Sequence, residues 1–240
     1  YYSIVILNNQ KELLEGSHRS LARQLEVEKI KQKYNMSTYL EALSLNNRLR
    51  ELETSIKKLD NTISLAIDRL RFKLNVKEEF KLNILFDPPG RPLYKTYNLA
   101  SLQENFRSKN ISLELANTNI TSKEIVLGRA SDYRVAELEK KEAEIDKANL
   151  ENNLEALVKQ VYYKHEEAKN NLSYEAQNHN IAETKFKQAS LRYELGMISK
   201  LQHEIEKNNF IQAKMNYNQA KISYINAISE VELVSIGIAP

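Results

Sequence analysis

This 240-residue sequence contains no cysteine and no tryptophan, and it has only five glycines and four prolines. Without cysteine the chain forms no disulfide and has no thiol chemistry. Glycine and proline interrupt helices, so their scarcity predicts long helices rather than a compact domain with many turns. Three of the four prolines lie close together, at Pro88, Pro89 and Pro92. The strongest helix breakers are therefore concentrated in one short stretch.

The sequence also lacks a long apolar segment and a cluster of like-charged residues. No run of about 18 apolar residues is present, which excludes a transmembrane helix. The formal net charge is only +3, and the 35 basic residues are interleaved with 32 acidic ones. This distribution is typical of solvated helix surfaces and argues against nucleic-acid binding. No signal peptide is visible, and the helical pattern begins at once, so we expect a mature or trimmed form whose true start is missing.

The longest feature that is present is a seam of positions spaced alternately by four and three residues. Nine of its twelve positions are apolar or aromatic. This spacing predicts a long helix, starting near Val135, that lies along a partner helix in a left-handed coiled coil. A break at Gly196–Ser199 then leads into a second helical pattern that continues to Ile236. The seam consists of Leu154, Val158, Val161, His165, Ala168, Leu172, Glu175, His179, Ala182, Phe186, Ala189 and Tyr193.

Residues 1–33, 38–74 and 98–130 have the apolar periodicity of three further helices. The first two are separated by Tyr34–Ser37. Asparagine in this break tolerates the left-handed conformation that ends helices, and Ser37 is a natural N-cap for the helix that follows. The first two helices are therefore predicted to form a hairpin.

A shift of 162 residues superimposes the breaks and the ends of the two halves. Tyr34–Ser37 falls on Gly196–Ser199, and Leu74–Val76 falls on Ile236–Ile238. We interpret this as a duplicated helix–turn–helix unit. The predicted domains are a first helical repeat whose front half is missing, a proline-rich linker and a second helical repeat, which occupy residues 1–76, 77–97 and 98–240.

The segment Arg192–Leu201, with the sequence RYELGMISKL, resembles the TolC-like outer membrane efflux protein family. The resemblance implies an all-α fold of long antiparallel coiled-coil hairpins, in which two helix–turn–helix repeats form the TolC α-barrel. Three copies of such a chain assemble a twelve-helix tunnel. The resemblance extends along the last helix over Tyr217, Ala220, Tyr224, Ala227 and the closing Ile236–Ile238.

In that family the protein is the exit duct of tripartite efflux pumps and type I secretion systems. The resemblance implies a location in the cell envelope, outside the cytoplasm, and a homotrimer. It also implies two partners, an adaptor (membrane fusion) protein and an inner-membrane transporter. The helix–turn–helix tips are the periplasmic ends that contact the helical hairpin of the adaptor. The implied contact residues are Tyr34, Asn35, Met36, Ser37, Gly196, Met197, Ile198, Ser199 and Leu201.

The sequence departs from the family between the third helix and the long helix. Family members insert a β-hairpin there, whereas here only Gly128–Arg134 connects the two helices. Seven residues cannot hold two strands of about 9–11 residues each, and no alternating apolar segment is present. We therefore expect no transmembrane β-barrel and no direct membrane insertion by this chain. It is either a natural relative without the hairpins or a form from which they were removed.

Two of the four histidines are candidates for a metal or proton site inside a helix bundle. His165 and His179 lie on the seam, where coiled coils often keep a polar residue, and no His-x-x-x-His pair accompanies them. Neighbouring acids such as Glu166 and Glu167 are typical of charged helix surfaces, and no phosphate loop or nucleophile motif is present. We predict no enzyme activity, no cofactor and no metal, with an enzyme bundle built on His165 and His179 as a remote alternative.

Two interpretations of the whole chain remain open. In the first, it is an α-helical duct component that docks an adaptor through its tips. In the second, it is a structural or interaction coiled coil derived from the same family, without a duct role. Gly196 fits both, because a C′ glycine is sufficient for a turn, whereas the apolar Met197 and Ile198 beside it favour contact with a partner.

Overall fold

The computed structural model describes residues 2–76 and 95–240, and all regular structure in these two ranges is α-helical. No helix in the described part of the chain combines the length and the apolar character needed to cross a membrane. The predicted linker lies outside the described residues apart from Lys95–Tyr97, which are not helical. The helices are α1 (Tyr2–Lys33), α2 (Tyr39–Leu74), α3 (Leu99–Lys109), α4 (Ile111–Leu127), α5 (Tyr133–Glu194) and α6 (Lys200–Ser235).

The helices are grouped into two compact units. The first unit contains α1, α2 and the residues Leu172–Ile222 of α5 and α6. The second contains α3, α4, the part of α5 up to Asn171, and Ser223–Pro240. These units are defined by packing, whereas the predicted domain boundaries follow the internal repeat, so those boundaries stay a prediction.

In the first unit, α1 and α2 form the predicted antiparallel hairpin. The Lys11 ammonium lies 2.6 Å from the Asp60 carboxylate, and His18 Nε2 lies 3.3 Å from Glu53 Oε1. Residue numbers therefore fall on α2 as they rise on α1. An apolar cluster holds the two helices together near the turn, and its buried members are Leu25, Ala42 and Leu49.

The core of the second unit is built by α3, α5 and α6. Its buried members are almost all branched aliphatic residues around one aromatic ring, Phe106. Full burial of such a side chain contributes about 1.5–3 kcal/mol to folding. The members of this core are Leu102 and Phe106 from α3, Val158 and Val161 from α5, and Val231 and Val234 from α6.

The predicted seam of α5 is the buried side of that helix. Eleven of its twelve positions are buried or half-buried, and the twelfth, Tyr193, is 37% exposed. The apolar periodicity overestimates burial near helix ends, because Ile30 in α1 and Leu74 in α2 are both more than half exposed. The 3.5-residue period therefore predicts the inner face of a helix but not where its packing stops.

The structure corrects the prediction of one helix over residues 98–130. That stretch is divided at Asn110, whose backbone is extended. The Asn110 side chain accepts a hydrogen bond from the Leu113 amide at 3.2 Å and donates one to the Gly237 carbonyl at 3.0 Å. It thereby caps α4 and anchors the end of α6. The apolar period continues through this break, so it could not reveal a contact with a residue so distant in the chain.

Candidate functional site

The two turns that contain the predicted contact residues both belong to the first unit. We call residues 34–38, between α1 and α2, tip A, and residues 195–199, between α5 and α6, tip B. The backbone of Asn35 is left-handed in tip A (φ 56°), as is that of Gly196 in tip B (φ 71°). In each tip the amide that follows reaches back to a carbonyl five residues earlier, Met36 to Lys31 at 2.9 Å and Met197 to Arg192 at 2.8 Å. The two turns therefore have the same backbone design.

The equivalence of the two tips differs by one residue from the predicted alignment. Asn35 corresponds to Gly196, a shift of 161 residues, whereas the predicted shift of 162 pairs Tyr34 with Gly196. At the other ends of α2 and α6 the left-handed residues are Asn75 and Gly237, where the shift of 162 holds. The stretch from Gly196 to Gly237 is thus one residue longer than the stretch from Asn35 to Asn75. The two repeats share too few identical residues for the sequence to show where the extra residue lies.

The helix after each tip begins with a side-chain cap. In tip A the N-cap is Thr38 rather than the predicted Ser37: its Oγ1 accepts from the Glu41 amide at 3.4 Å, and Glu41 Oε2 accepts from the Thr38 amide at 3.2 Å. Ser37 donates its hydroxyl to the same carboxylate. The Ser37 hydroxyl, and after it the Thr38 amide, hold the pKa of Glu41 below its usual range. In tip B the predicted cap is confirmed, because Ser199 Oγ accepts from the Gln202 amide at 3.2 Å.

Both tips present apolar side chains to solvent. The equivalent methionines, Met36 and Met197, are 75% and 69% exposed. Ile198 and Leu201, also predicted as contact residues, are only half-buried, as is Ser37. Further exposed apolar residues next to the tips were not predicted, because at three- and four-residue spacing they look like buried seam positions. These are Ile30, Tyr39, Leu40, Leu191 and Leu195.

Ile198 is half-buried because it lines a cleft between α5 and α6 beside tip B. The cleft has an apolar floor that includes Ala182 and Ala189. Two cations from α5, Lys185 and Arg192, line the same cleft, and neither forms an ion pair with any residue in the described ranges. The Glu206 carboxylate lines the cleft as well, so the flank of tip B combines small apolar side chains with charges of both signs.

A continuous column of aromatic rings holds α5 and α6 together behind tip B. It begins with Tyr193 stacked on His203, whose ring centroids are 4.9 Å apart, and the Ser190 hydroxyl lies 3.1 Å from Nε2 of the same histidine. Each following ring is 5.3–5.5 Å from the one before it. This packing positions the turn without restricting its exposed residues. The column is, in order, Tyr193, His203, Phe186, Phe210, His179 and Tyr217.

The seam histidines are ring-packing residues. His179 is stacked on Tyr217, and His165 packs against Tyr97 and Tyr224. Residues 2–76 and 95–240 contain no group of three or more His, Asp or Glu side chains arranged to hold a metal ion. The geometry of these histidines is that of aromatic side chains in a helix interface.

Sequence comparison finds no matching protein family and no matching curated protein. Structure comparison finds clear matches. The solved structure of CusC, described for its folding and transmembrane channel formation, has a TM-score of 0.65 at 12% identity, covering 99% of this chain and 74% of CusC. The CmeC outer membrane channel of Campylobacter jejuni has a TM-score of 0.56 at 14% identity, covering 99% of this chain and 60% of CmeC.

This chain has the helical fold of outer membrane channels. The fold predicted from its resemblance to the TolC-like family is thereby confirmed: an all-α chain of long helical hairpins. Both matched proteins are described as channels. The absence of catalytic activity in this chain stays a prediction. The chain spans about three quarters of CusC and less than two thirds of CmeC.

Proposed function

We propose that this chain is an α-helical duct component of an efflux pump or type I secretion system in the cell envelope, and that tips A and B dock an adaptor protein. The observation that carries this proposal is a fold shared over 99% of the chain with two channel proteins. In such a duct three copies would form a closed tunnel, with an inner-membrane transporter reached through the adaptor.

The geometry of the tips supports docking. Each tip places a large flexible methionine in solvent, on a turn whose backbone is held by a left-handed residue and an N-cap. Exposed apolar clusters on an otherwise charged surface are typical of interaction sites, and methionine adapts to differently shaped partners. The expected partner is the end of a helical hairpin with apolar side chains that cover Met36 and Met197.

Docking is tested by measuring binding of the full chain to the helical hairpin of a candidate adaptor protein. We expect Gly196→Val or Ile198→Asp to abolish binding, because the first strains the left-handed turn and the second puts a charge into the contact, while helix content measured by circular dichroism stays unchanged. Leu65→Asp is the control, since it puts the same charge on an exposed apolar residue within α2, away from both tips. Unaltered binding by both tip variants would remove the docking role.

The second candidate function is a structural coiled coil without a duct role. It is favoured by one observation: eleven of the twelve seam positions of α5 are already buried or half-buried within a single copy of the chain. Light scattering over a wide concentration range separates the two. A mass near three times 27.8 kDa supports the duct, and a strict 27.8 kDa monomer at every concentration supports the coiled coil.

A further inference from the structure

The short segment Lys95–Asn98 precedes α3 in the second unit. A hydrogen bond and an ion pair connect this segment to α6. The Lys95 amide donates a hydrogen bond to the Tyr224 hydroxyl at 3.0 Å, and the Lys95 ammonium pairs with Glu232. Asn98 then caps α3 by accepting from the Ser101 amide at 3.1 Å. Between these anchors lies Tyr97, whose ring is packed edge-to-face on His165 of α5 with centroids 5.0 Å apart.

His165 is an unusual residue to find at the centre of this contact. It is 0% exposed, and its ring also lies against Tyr224 at 5.5 Å. Neither ring nitrogen has a hydrogen-bond partner within the described residues, and the Tyr97 hydroxyl has none either. The rings of Tyr97 and Tyr224 therefore lie against the imidazole, and the charged group beside it is the Glu166 carboxylate.

The charges near His165 do not compensate for that burial. On α5, Glu166 Oε1 lies 3.3 Å from Nδ1, but Lys169 lies 3.4 Å from the same carboxylate oxygen and shares its charge. Burial holds the pKa of His165 below its usual range, with Glu166 opposing the shift and Lys169 assisting it. Among the described residues, the neighbouring elements also contribute the Tyr97 and Tyr224 phenols, which contact the ring, and they carry the Lys95–Glu232 and Lys164–Glu230 ion pairs.

We propose that Tyr97 and His165 form an acid-sensitive clasp that holds Lys95–Asn98 and the start of α3 against α5 and α6. The neutral imidazole packs between the rings. A protonated ring has to reach water or a full carboxylate charge, because a buried uncompensated cation is costly. Tyr97 is the neighbour that gives way, since it lies in a non-helical segment, whereas Tyr224 lies within α6. Acid therefore opens the clasp at the entry to α3.

The direction in which pH changes the opening equilibrium follows from proton linkage. In the open state the imidazole titrates near its free value of about 6.5, and in the closed state it binds a proton less readily. The open state therefore binds more protons just below that pH, and the closed state loses stability as the pH falls. Above about pH 7 both states hold a neutral imidazole, so the opening equilibrium no longer depends on pH. Below it, the opening equilibrium rises by at most about tenfold for each pH unit.

The experiment is hydrogen exchange of the full chain between pH 7.5 and pH 5, with the amides from Lys95 to Leu102 corrected for intrinsic rates. In the wild type we expect their opening equilibrium to rise by about threefold to tenfold per pH unit below about 6.5. His165→Phe keeps a ring in place but cannot be protonated, so the same amides become independent of pH. A flat wild-type profile, or a His165→Phe profile that still rises in acid, overturns the clasp.

Two control variants and one independent measurement accompany this experiment. His179→Phe, in the ring column of the first unit, leaves the pH profile of Lys95–Leu102 unchanged. Tyr224→Phe removes the hydrogen-bond acceptor of the Lys95 amide and raises exchange at every pH without changing the slope. If His165→Phe does not fold, NMR titration of wild-type His165 decides: its midpoint has to coincide with the change in the Tyr97 ring signals, and titration without such a change overturns the proposal.

Discussion

Gly196 in tip B and Gly237 after α6 have the same local backbone but different surroundings. Both are left-handed, with φ of 71° and 87°, and each is followed by an amide that bonds a carbonyl five residues earlier. A Cβ on Gly196 would meet no atom within 4 Å, whereas a Cβ on Gly237 would lie 2.6 Å from the backbone carbon and oxygen of Lys109. One glycine serves the turn alone, and the other also permits close contact with the α3–α4 junction.

The first repeat shows that a left-handed backbone alone does not require glycine. Its left-handed positions are occupied by Asn35 and Asn75, with φ of 56° and 52°. Asparagine adopts this conformation at modest cost. The turn design therefore does not demand glycine, and a position demands it only where another part of the backbone approaches the Cα. Three substitutions test this difference, and they follow in order of decreasing effect.

The largest effect is expected for Gly237→Ala. The added methyl group meets the Lys109 backbone, which cannot rotate away as a side chain could, and the left-handed backbone adds its own cost. Overpacking of this kind costs about 1–3 kcal/mol, and a left-handed alanine adds about 1–2 kcal/mol. Urea unfolding should show a loss of about 2–5 kcal/mol in the free energy of unfolding. A loss below about 1 kcal/mol would mean that the α3–α4 junction moves aside freely.

Gly196→Ala should cost less, about 1–2 kcal/mol, because only the left-handed backbone is strained. The reciprocal change, Asn35→Gly, tests the same turn in tip A and should leave stability within a few tenths of a kcal/mol or raise it slightly. Both are measured by the urea midpoint at constant m-value. If Gly196→Ala cost as much as Gly237→Ala, the contrast between an open and a packed glycine would be wrong.

Smaller losses than for Gly196→Ala are expected at the N-caps. Thr38→Ala removes one half of a reciprocal cap with Glu41, and Ser199→Ala removes a single hydrogen bond, so we expect losses of about 1 kcal/mol and about 0.5 kcal/mol. Thermal unfolding of both variants provides the comparison, with Ser55→Ala on the exposed face of α2 as a control. Equal losses at the two caps would show that the Glu41 contribution is negligible.

Most of the fold could be predicted from the sequence because its signals are local. The four- and three-residue spacing in α5 predicted its buried side, and scarce glycine and proline predicted the length of the helices. Asparagine, glycine and serine at the turns predicted both tips, to within one residue at the tip A cap. These signals act between residues a few positions apart, where backbone hydrogen bonds and caps are formed.

The sequence by itself thus determined where the chain turns back at the two tips and which side of α5 is buried. Only the tertiary structure decided that Asn110 breaks a helix to reach Gly237, that Ile198 lines a cleft while Met197 is in solvent, and that His165 is enclosed by Tyr97 and Tyr224. The reason is physical, because these outcomes depend on contacts between residues far apart in the chain. A periodic apolar pattern predicts that one face of a helix is buried, but it does not identify the residues that cover that face.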